Sequence, residues 1–196
     1  MQAESEEIKP HLGVGFWLGW GLLSALGWGL GWLATFLVGW GVFSLLEPTL
    51  GKTISDPIGW GLTGALLGLW LGASQGWLLR QCGCPAGAWL RASVLGGLLG
   101  NLIGWLVAPQ VLQQGVGLET AGAWLVTGLI VGILQWQLSE KLVPRPLFWV
   151  PLSSLCWAAA MVWWPLGGLV AGAAHGLGFI WMQQIKFSAG RPARTP

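Results

Sequence analysis

Uncharged residues follow one another in runs about as long as a membrane is thick, and glycine recurs along these runs at helical spacing. In residues 58–80, a step of about 100° per residue places five glycines and Gln75 on one arc, with Trp70 and Trp77 opposite. The five glycines are Gly61, Gly64, Gly68, Gly72 and Gly76. Small residues let helices approach closely in lipid. This pattern predicts a transmembrane helix that packs through its glycine face.

The same reasoning predicts six spans in an all-α integral membrane protein. Residues 14–46 carry no charge and exceed the roughly 20 residues that cross a bilayer, so we expect this helix to tilt, to project or to bend near Gly39 and Gly41. The charge-free stretch 147–185 is long enough for two helices, with a turn predicted at residues 164–168. The other spans are predicted at 58–80, 92–108 and 120–139. Loops are predicted at 47–57, at 81–91 and, after Pro109, at 110–119.

The basic residues predict the orientation of these spans. With both termini cytoplasmic, the segments on the cytoplasmic side hold eight of the nine lysines and arginines, and Lys52 lies outside. Cytoplasmic loops carry the excess of basic residues in membrane proteins. We therefore expect a cytoplasmic tail at residues 1–13, a transmembrane domain at 14–186 and a second cytoplasmic tail at 187–196. The bacterial inner membrane or a thylakoid membrane is the expected location.

The composition favours lipid as the solvent. The chain is 54% hydrophobic and 8% charged, whereas soluble domains are about 25% charged. It has 17 tryptophans and no tyrosine. Five tryptophans near the predicted span ends are expected to anchor at the membrane interface: Trp17, Trp60, Trp89, Trp149 and Trp181. Four deeper ones are expected to pack against helices, to face lipid or to touch a ligand: Trp28, Trp32, Trp70 and Trp157.

Two overlapping patterns indicate internal repetition. A Gly-Leu pair followed six residues after its Leu by Gln occurs at Gly68/Gln75, at Gly128/Gln135 and at Gly176/Gln183. A second pattern, GxxxGxxQ or GxxxGxxH, matches three sets of residues: Gly68/Gly72/Gln75, Gly128/Gly132/Gln135 and Gly168/Gly172/His175. We interpret the chain as three helical hairpins, spans 1–2, 3–4 and 5–6, with pseudo-threefold symmetry.

The repeated G-x(6)-Q-W/G-x-L hairpins resemble Gly- and Trp-rich polytopic membrane proteins of bacteria, of the cyanobacterial type. The resemblance covers spans 2–5 and implies a multi-pass helical fold. It brings no activity with it, so it implies no functional residue in this chain.

The usual chemistry of enzymes and ion carriers is absent from the sequence. The predicted spans contain no Asp, Glu, Lys or Arg inside, whereas ion-coupled carriers keep such residues at mid-membrane. No HExxH, P-loop or GxSxG motif is present, and Cys82 and Cys84 lack the further ligands that a zinc site needs. We expect a protein that is not an enzyme, with no catalytic residue, no metal site and no nucleic-acid partner.

The uncharged polar residues of the spans are the candidate ligand-binding residues: His175, Gln75, Gln135, Gln183 and Asn101. Hydrogen bonding between helices is the simpler interpretation. The sharper one is a ligand site in which His175 binds the metal of a tetrapyrrole. Nine glycines are expected to pack helices together: Gly61, Gly64, Gly68, Gly72, Gly128, Gly132, Gly168, Gly172 and Gly176.

Three functions follow from these residues, and the sequence leaves all three open. The first is a scaffold or assembly protein that contacts lipid and other membrane proteins or copies of itself. The second is binding of an apolar ligand or pigment, such as haem, chlorophyll, a carotenoid or a quinone, within the bundle. The third is a channel or carrier for a small neutral solute, since glycine seams can line a pore.

Overall fold

The computed structural model describes residues 13–81, 85–112, 115–139, 146–163 and 166–189. These residues form six helices and no strand, which confirms the all-α prediction. The helices are α1 (Val14–Leu50), α2 (Lys52–Gln81), α3 (Ala86–Leu112), α4 (Gly115–Ser139), α5 (Trp149–Val162) and α6 (Gly167–Ala189). A 3₁₀ turn, Pro146–Phe148, precedes α5. Cys82, Cys84 and most of both predicted tails lie outside the described residues.

The chain is a multi-pass membrane protein. Helices α1 to α4 are each long and apolar enough to cross a bilayer, and α5 and the segment Gly167–Trp181 are shorter apolar helices. Large apolar side chains cover the outer surface of the bundle, among them Leu22, Trp77, Leu95 and Leu155. A surface of this composition contacts lipid.

The predicted loop at residues 47–57 is wrong, because helix continues through both of its prolines. Helix α1 includes Pro48 and α2 includes Pro57, so Gly51 alone separates the two helices. Gly51 has φ of 73°, a backbone conformation that glycine adopts without the steric cost of a Cβ. Each proline lies within two turns of a helix end and removes one backbone N–H donor from its helix. Proline therefore did not mark the end of either helix.

The other predicted loops are also too long. Helix α3 begins at Ala86, so Arg91 is an exposed helical residue, and the helix continues past Pro109 to Leu112. Helix α4 begins at Gly115. The turn predicted at residues 164–168 is likewise too long, because α5 ends at Val162 and α6 already begins at Gly167.

The long helix α1 changes locally from α-helical to π-helical winding. A π-helical segment, Thr35–Gly39, interrupts it and includes Gly39, one of the two glycines near which a bend is predicted. The Thr35 hydroxyl donates to the Gly31 carbonyl at 2.9 Å. The following segment, Trp40–Leu50, has no buried residue. The last third of α1 is therefore far less covered by protein than the first.

The helices close into a ring. Each helix packs against the one that follows it in the chain, and α6 packs against α1. Neighbours are antiparallel: Gly19 meets Leu78 near one end of the α1–α2 interface, and Gly59 meets Phe43 near the other. Helices α6 and α1 are antiparallel too, because Gly168 lies against Trp28 whereas Gly176, further along α6, lies against Trp17. The bundle thus has an interior that all six helices line.

Tryptophans occupy much of that interior, which overturns one prediction. Trp89 and Trp149, expected at the membrane interface, are each only 1% exposed. They lie near the starts of α3 and α5, and these ends turn their tryptophans towards the centre of the ring. Trp70 and Trp77 on α2 face outward, as predicted from the glycine arc.

Candidate functional site

A layer of polar side chains lies inside the ring, between two clusters of apolar and aromatic residues. Every helix contributes one residue to this polar layer, and all six are buried: Ser24, Gln75, Ser93, Gln135, Ser153 and His175. One cluster contains Trp20, Leu79, Trp89, Trp149 and Phe179. The other contains Trp28, Leu67, Leu71, Trp124, Val131, Cys156, Trp157, Ala160 and Ala171.

Helical spacing places each polar residue between the clusters. On α1, Trp20, Ser24 and Trp28 follow at intervals of four residues, so they lie on one face in successive turns. On α6, Ala171, His175 and Phe179 are spaced in the same way. The three layers are thus stacked along the axis of the ring.

Two parts of the polar layer have the same hydrogen bonds. In the first, Trp89 Nε1 donates to Gln75 Oε1 at 3.2 Å, and Gln75 Nε2 donates to Ser24 Oγ at 3.0 Å.

In the second, Trp149 Nε1 donates to Gln135 Oε1 at 2.9 Å, and Gln135 Nε2 donates to Ser93 Oγ at 2.9 Å. Each Trp–Gln–Ser set, which we call a relay, joins three consecutive helices. The glutamine bonds the helix before it through its amide nitrogen and the helix after it through its amide oxygen.

The close glycine contacts show which residues correspond around the ring. A Cβ on Gly72 would lie 2.7 Å from the Ser93 Cβ, and a Cβ on Gly132 would lie 3.0 Å from the Ser153 Cβ. A Cβ on Gly172 would meet Ser24 in the same way.

Three residues beyond each of these glycines come Gln75, Gln135 and His175. Of the two sequence patterns, the contacts therefore follow GxxxGxxQ/H, and His175 takes the position of the third glutamine.

The third position lacks a relay. The equivalent residues are Trp20, His175 and Ser153. Each has a buried polar atom with no hydrogen-bond partner among the described residues: Nε1, Nε2 and Oγ, respectively. The imidazole of His175 instead stacks on the indole of Trp149, with ring centroids 4.8 Å apart and planes inclined by 28°.

The remaining predicted ligand-binding residues are not part of this layer. Asn101 is fully buried on α3, two turns beyond Ser93. Its Nδ2 donates to the Gly97 carbonyl at 3.4 Å, and its Oδ1 has no partner in the part of the chain that the structure describes. Gln183 belongs to α6, but its side chain lies outside the described residues. The structure therefore brings together Gln75, Gln135 and His175.

The predicted packing glycines all lie between helices. Those of α2 (Gly61, Gly64, Gly68 and Gly72) face α3, and those of α4 (Gly128 and Gly132) face α5. Those of α6 (Gly168, Gly172 and Gly176) face α1 and close the ring. These nine glycines of the even-numbered helices thus pack on the following odd-numbered helix, with α1 following α6.

A cavity of about 30 Å³ lies at the polar layer. Its walls include Ser24, Gln75, Ser93, Gln135 and His175, together with apolar side chains from both clusters. Every residue that lines it is buried. The cavity is much smaller than the pockets of about 300–1,000 Å³ that take drug-sized ligands.

Two wider grooves, of about 470 and 390 Å³, lie at the end of the bundle where α1 meets α2. Both are lined by Lys52, Asp56 and Trp60, and Lys52 Nζ lies 2.8 Å from Asp56 Oδ2. Trp60 stacks on Trp105 with ring centroids 4.4 Å apart. These grooves are open and partly lined by exposed side chains, in contrast to the central cavity.

The sequence-based interpretation missed the partners of the glutamines. Trp20/Ser24, Trp89/Ser93 and Trp149/Ser153 share the spacing Trp-x3-Ser on the odd-numbered helices. That spacing was a usable signal, because it puts the indole and the hydroxyl on one face of each helix.

The layer offers hydrogen bonding without charge. It contains no carboxylate, ammonium or guanidinium group, and the described residues form no group of three or more His, Cys, Asp and Glu that could hold a metal ion. Comparison of the chain with protein-family models, with curated proteins and with solved structures gave no match.

Proposed function

We propose that the chain is a non-enzymatic scaffold or assembly protein of the membrane, built from six spans as three helical hairpins. The hairpins are α1–α2, α3–α4 and α5–α6, with both termini cytoplasmic and the inner membrane or a thylakoid membrane as the location. The relays support these units, since each glutamine bonds a serine within its own hairpin and a tryptophan of the next.

One observation carries the scaffold proposal: the interior of the ring is occupied by the side chains of the protein itself. The polar layer holds only about 30 Å³ of space, and the clusters on both sides of it contain tightly packed indoles. The Trp124 and Trp157 rings, for example, stack with centroids 5.8 Å apart. A protein with a filled core acts through its outer surface, which here contacts lipid and neighbouring proteins.

The two alternative functions need more space than the cavity at the polar layer offers. A haem, chlorophyll, carotenoid or quinone is at least drug-sized, and sites for such ligands measure about 300 Å³ or more. A path for a neutral solute along the axis would have to pass both aromatic clusters, where Trp20, Trp89 and Trp124 are each 0–1% exposed. At the polar layer, both alternatives therefore require an opening of the bundle; the two grooves at the end where α1 meets α2 exceed about 300 Å³, but they are open and lie outside this layer.

Native electrophoresis of gently solubilised membranes tests the scaffold proposal. We expect the chain to migrate in an assembly larger than the purified 20.9 kDa protein in the same detergent. Partner bands identify other membrane proteins, and a ladder of the chain alone identifies a homo-oligomer. Migration of the native form at the size of a single detergent-bound chain would contradict the scaffold proposal.

The same purified protein tests the alternatives. We expect the purified protein to be colourless. Liposomes that contain it should swell in glycerol no faster than empty liposomes. Visible absorption bands would select pigment or haem binding, and faster swelling would select passage of a neutral solute.

Reporter fusions test the topology. The eight-to-one distribution of basic residues predicts that fusions after Lys52 and Glu119 read outside, whereas fusions after Arg80, Lys141 and Lys186 read cytoplasmic. A C-terminus on the outside would contradict both the six spans and the three hairpins.

A further inference from the structure

The third position of the polar layer differs chemically from the other two. Its histidine lines the central cavity, is 6% exposed and has an Nε2 atom with no hydrogen-bond partner among the described residues. Buried polar atoms in native proteins are almost always paired, with protein groups or with ordered water. An unpaired ring nitrogen beside a cavity is therefore the feature of a binding site.

The cavity has the size and the lining for one very small ligand. Its volume is about 30 Å³, and a site of roughly 10–15 Å³ or more is enough to hold a water molecule that has two to four polar partners. Besides the imidazole, the Ser24 hydroxyl lines it; Ser24 accepts the hydrogen bond from Gln75 and donates to no described group. Two groups are thus available for a ligand at the same cavity.

The chemistry of these groups restricts the ligand further. A neutral imidazole offers one donor and one acceptor, and a hydroxyl can take either role. No Asp, Glu, Lys or Arg lines the cavity, so nothing there would balance a charge, which is costly to bury. The ligand must be uncharged and must both donate and accept.

We propose that His175 and Ser24 form a binding site for a single small neutral hydrogen-bonding molecule of the size of water. The site goes beyond the scaffold function, because it distinguishes the α5–α6 hairpin from the two hairpins whose glutamines bond only protein groups. The indole of Trp149 stacks against the imidazole and fixes the plane of the ring. The aromatic clusters on either side retain the molecule.

A structure of the full chain in lipid, at a resolution that shows ordered water, tests the site. We expect a single-atom peak in the cavity within about 2.7–3.2 Å of His175 Nε2, the usual range for such a bond. His175→Phe preserves a ring against Trp149 without nitrogen, so its map should lack the peak.

A cavity without density, with Nε2 bonded directly to a protein group, would overturn the proposal. An anomalous peak from a metal ion would overturn it too.

Nuclear magnetic resonance gives a second measurement on the wild-type protein alone. The chain has two histidines, His11 and His175, so ¹⁵N-histidine labelling gives a simple spectrum. We expect an exchange or Overhauser cross-peak between water and the His175 ring in detergent micelles. A ring that shows no such cross-peak, while the His11 ring does, would contradict the proposal.

Discussion

The first two positions of the polar layer and the third have the same backbone packing but different hydrogen bonding. Around the ring, a glycine of each even-numbered helix meets a serine of the following odd-numbered helix: Gly72 meets Ser93, Gly132 meets Ser153, and Gly172 meets Ser24. Trp–Gln–Ser relays follow in the first two cases. In the third, Trp20, His175 and Ser153 each keep a polar atom that no described residue pairs with.

This difference separates the packing that builds the ring from the hydrogen bonding that makes one position unlike the other two. Close helix approach depends on glycine and is repeated at all three positions, so it accounts for the architecture. Hydrogen bonding is repeated only twice, although the third position has the same tryptophan and serine. A single change, from an amide to an imidazole, is enough to turn a structural connection into a candidate site.

The largest expected effects come from the shared packing. Gly72→Val, Gly132→Val and Gly172→Val should each destabilise the protein by more than the usual range of about 1–3 kcal/mol for overpacking, because even a Cβ would lie too close to the facing serine. The free energy of unfolding, measured by titration with sodium dodecyl sulfate in mixed micelles, checks this prediction.

Gly29→Val is the matched control for these variants, since nothing lies within 4 Å of a Cβ at Gly29. It should be nearly neutral. An equal loss of stability at Gly29 and Gly172 would show that helix propensity, and not close approach, explains the glycines.

Removing a relay should have the next largest effect. Gln75→Leu leaves the Trp89 indole N–H without its acceptor, and Gln135→Leu does the same to Trp149. An unsatisfied buried donor costs about 1–3 kcal/mol. His175→Leu should cost less than either, because no protein hydrogen bond to Nε2 is lost.

The same unfolding titration ranks the three leucine variants. If His175→Leu proved as costly as Gln75→Leu, the third position would contain protein hydrogen bonds after all, and the contrast between the positions would be wrong.

Exchanging the residues should give smaller effects of opposite sign. His175→Gln places an amide between Trp20 and Ser153 and should raise the free energy of unfolding by about 0.6 kcal/mol, the average for hydrogen bonds between membrane helices. Gln75→His should lower it. Thermal unfolding followed by tryptophan fluorescence checks both variants, and a loss of stability in His175→Gln would show that the positions are not equivalent.

The sequence predicted much of the architecture because spans in lipid are long and uncharged. The six helices, the turn before Gly167 and the outward direction of Trp70 and Trp77 all followed from periodicity and charge. The positions of helix ends did not follow, since proline was expected to end a helix, whereas Pro48, Pro57 and Pro109 all lie within helices. Position near the end of a span also misled the prediction for Trp89 and Trp149. Both were expected at the membrane interface, but their side chains point into the ring.

The candidate site was only partly predictable. Gln75, Gln135 and His175 were identified as the polar residues of otherwise apolar spans, and the structure places them in one layer. Whether each residue has a partner depends on neighbouring helices and on distances of a few tenths of an ångström. The spacing of residues along the sequence does not reveal these distances, so the contrast between His175 and the glutamines required the structure.

A double-mutant cycle on Trp89 and Gln75 tests most directly the claim that relays join successive hairpins. Trp89→Phe, Gln75→Leu and the double variant are compared with the wild type by their free energies of unfolding. We expect a coupling energy of about 0.6 kcal/mol, and up to about 1.7 kcal/mol for a well-formed bond in a membrane protein. Strictly additive effects of the two substitutions on the free energy of unfolding would contradict the claim that the relay joins the hairpins.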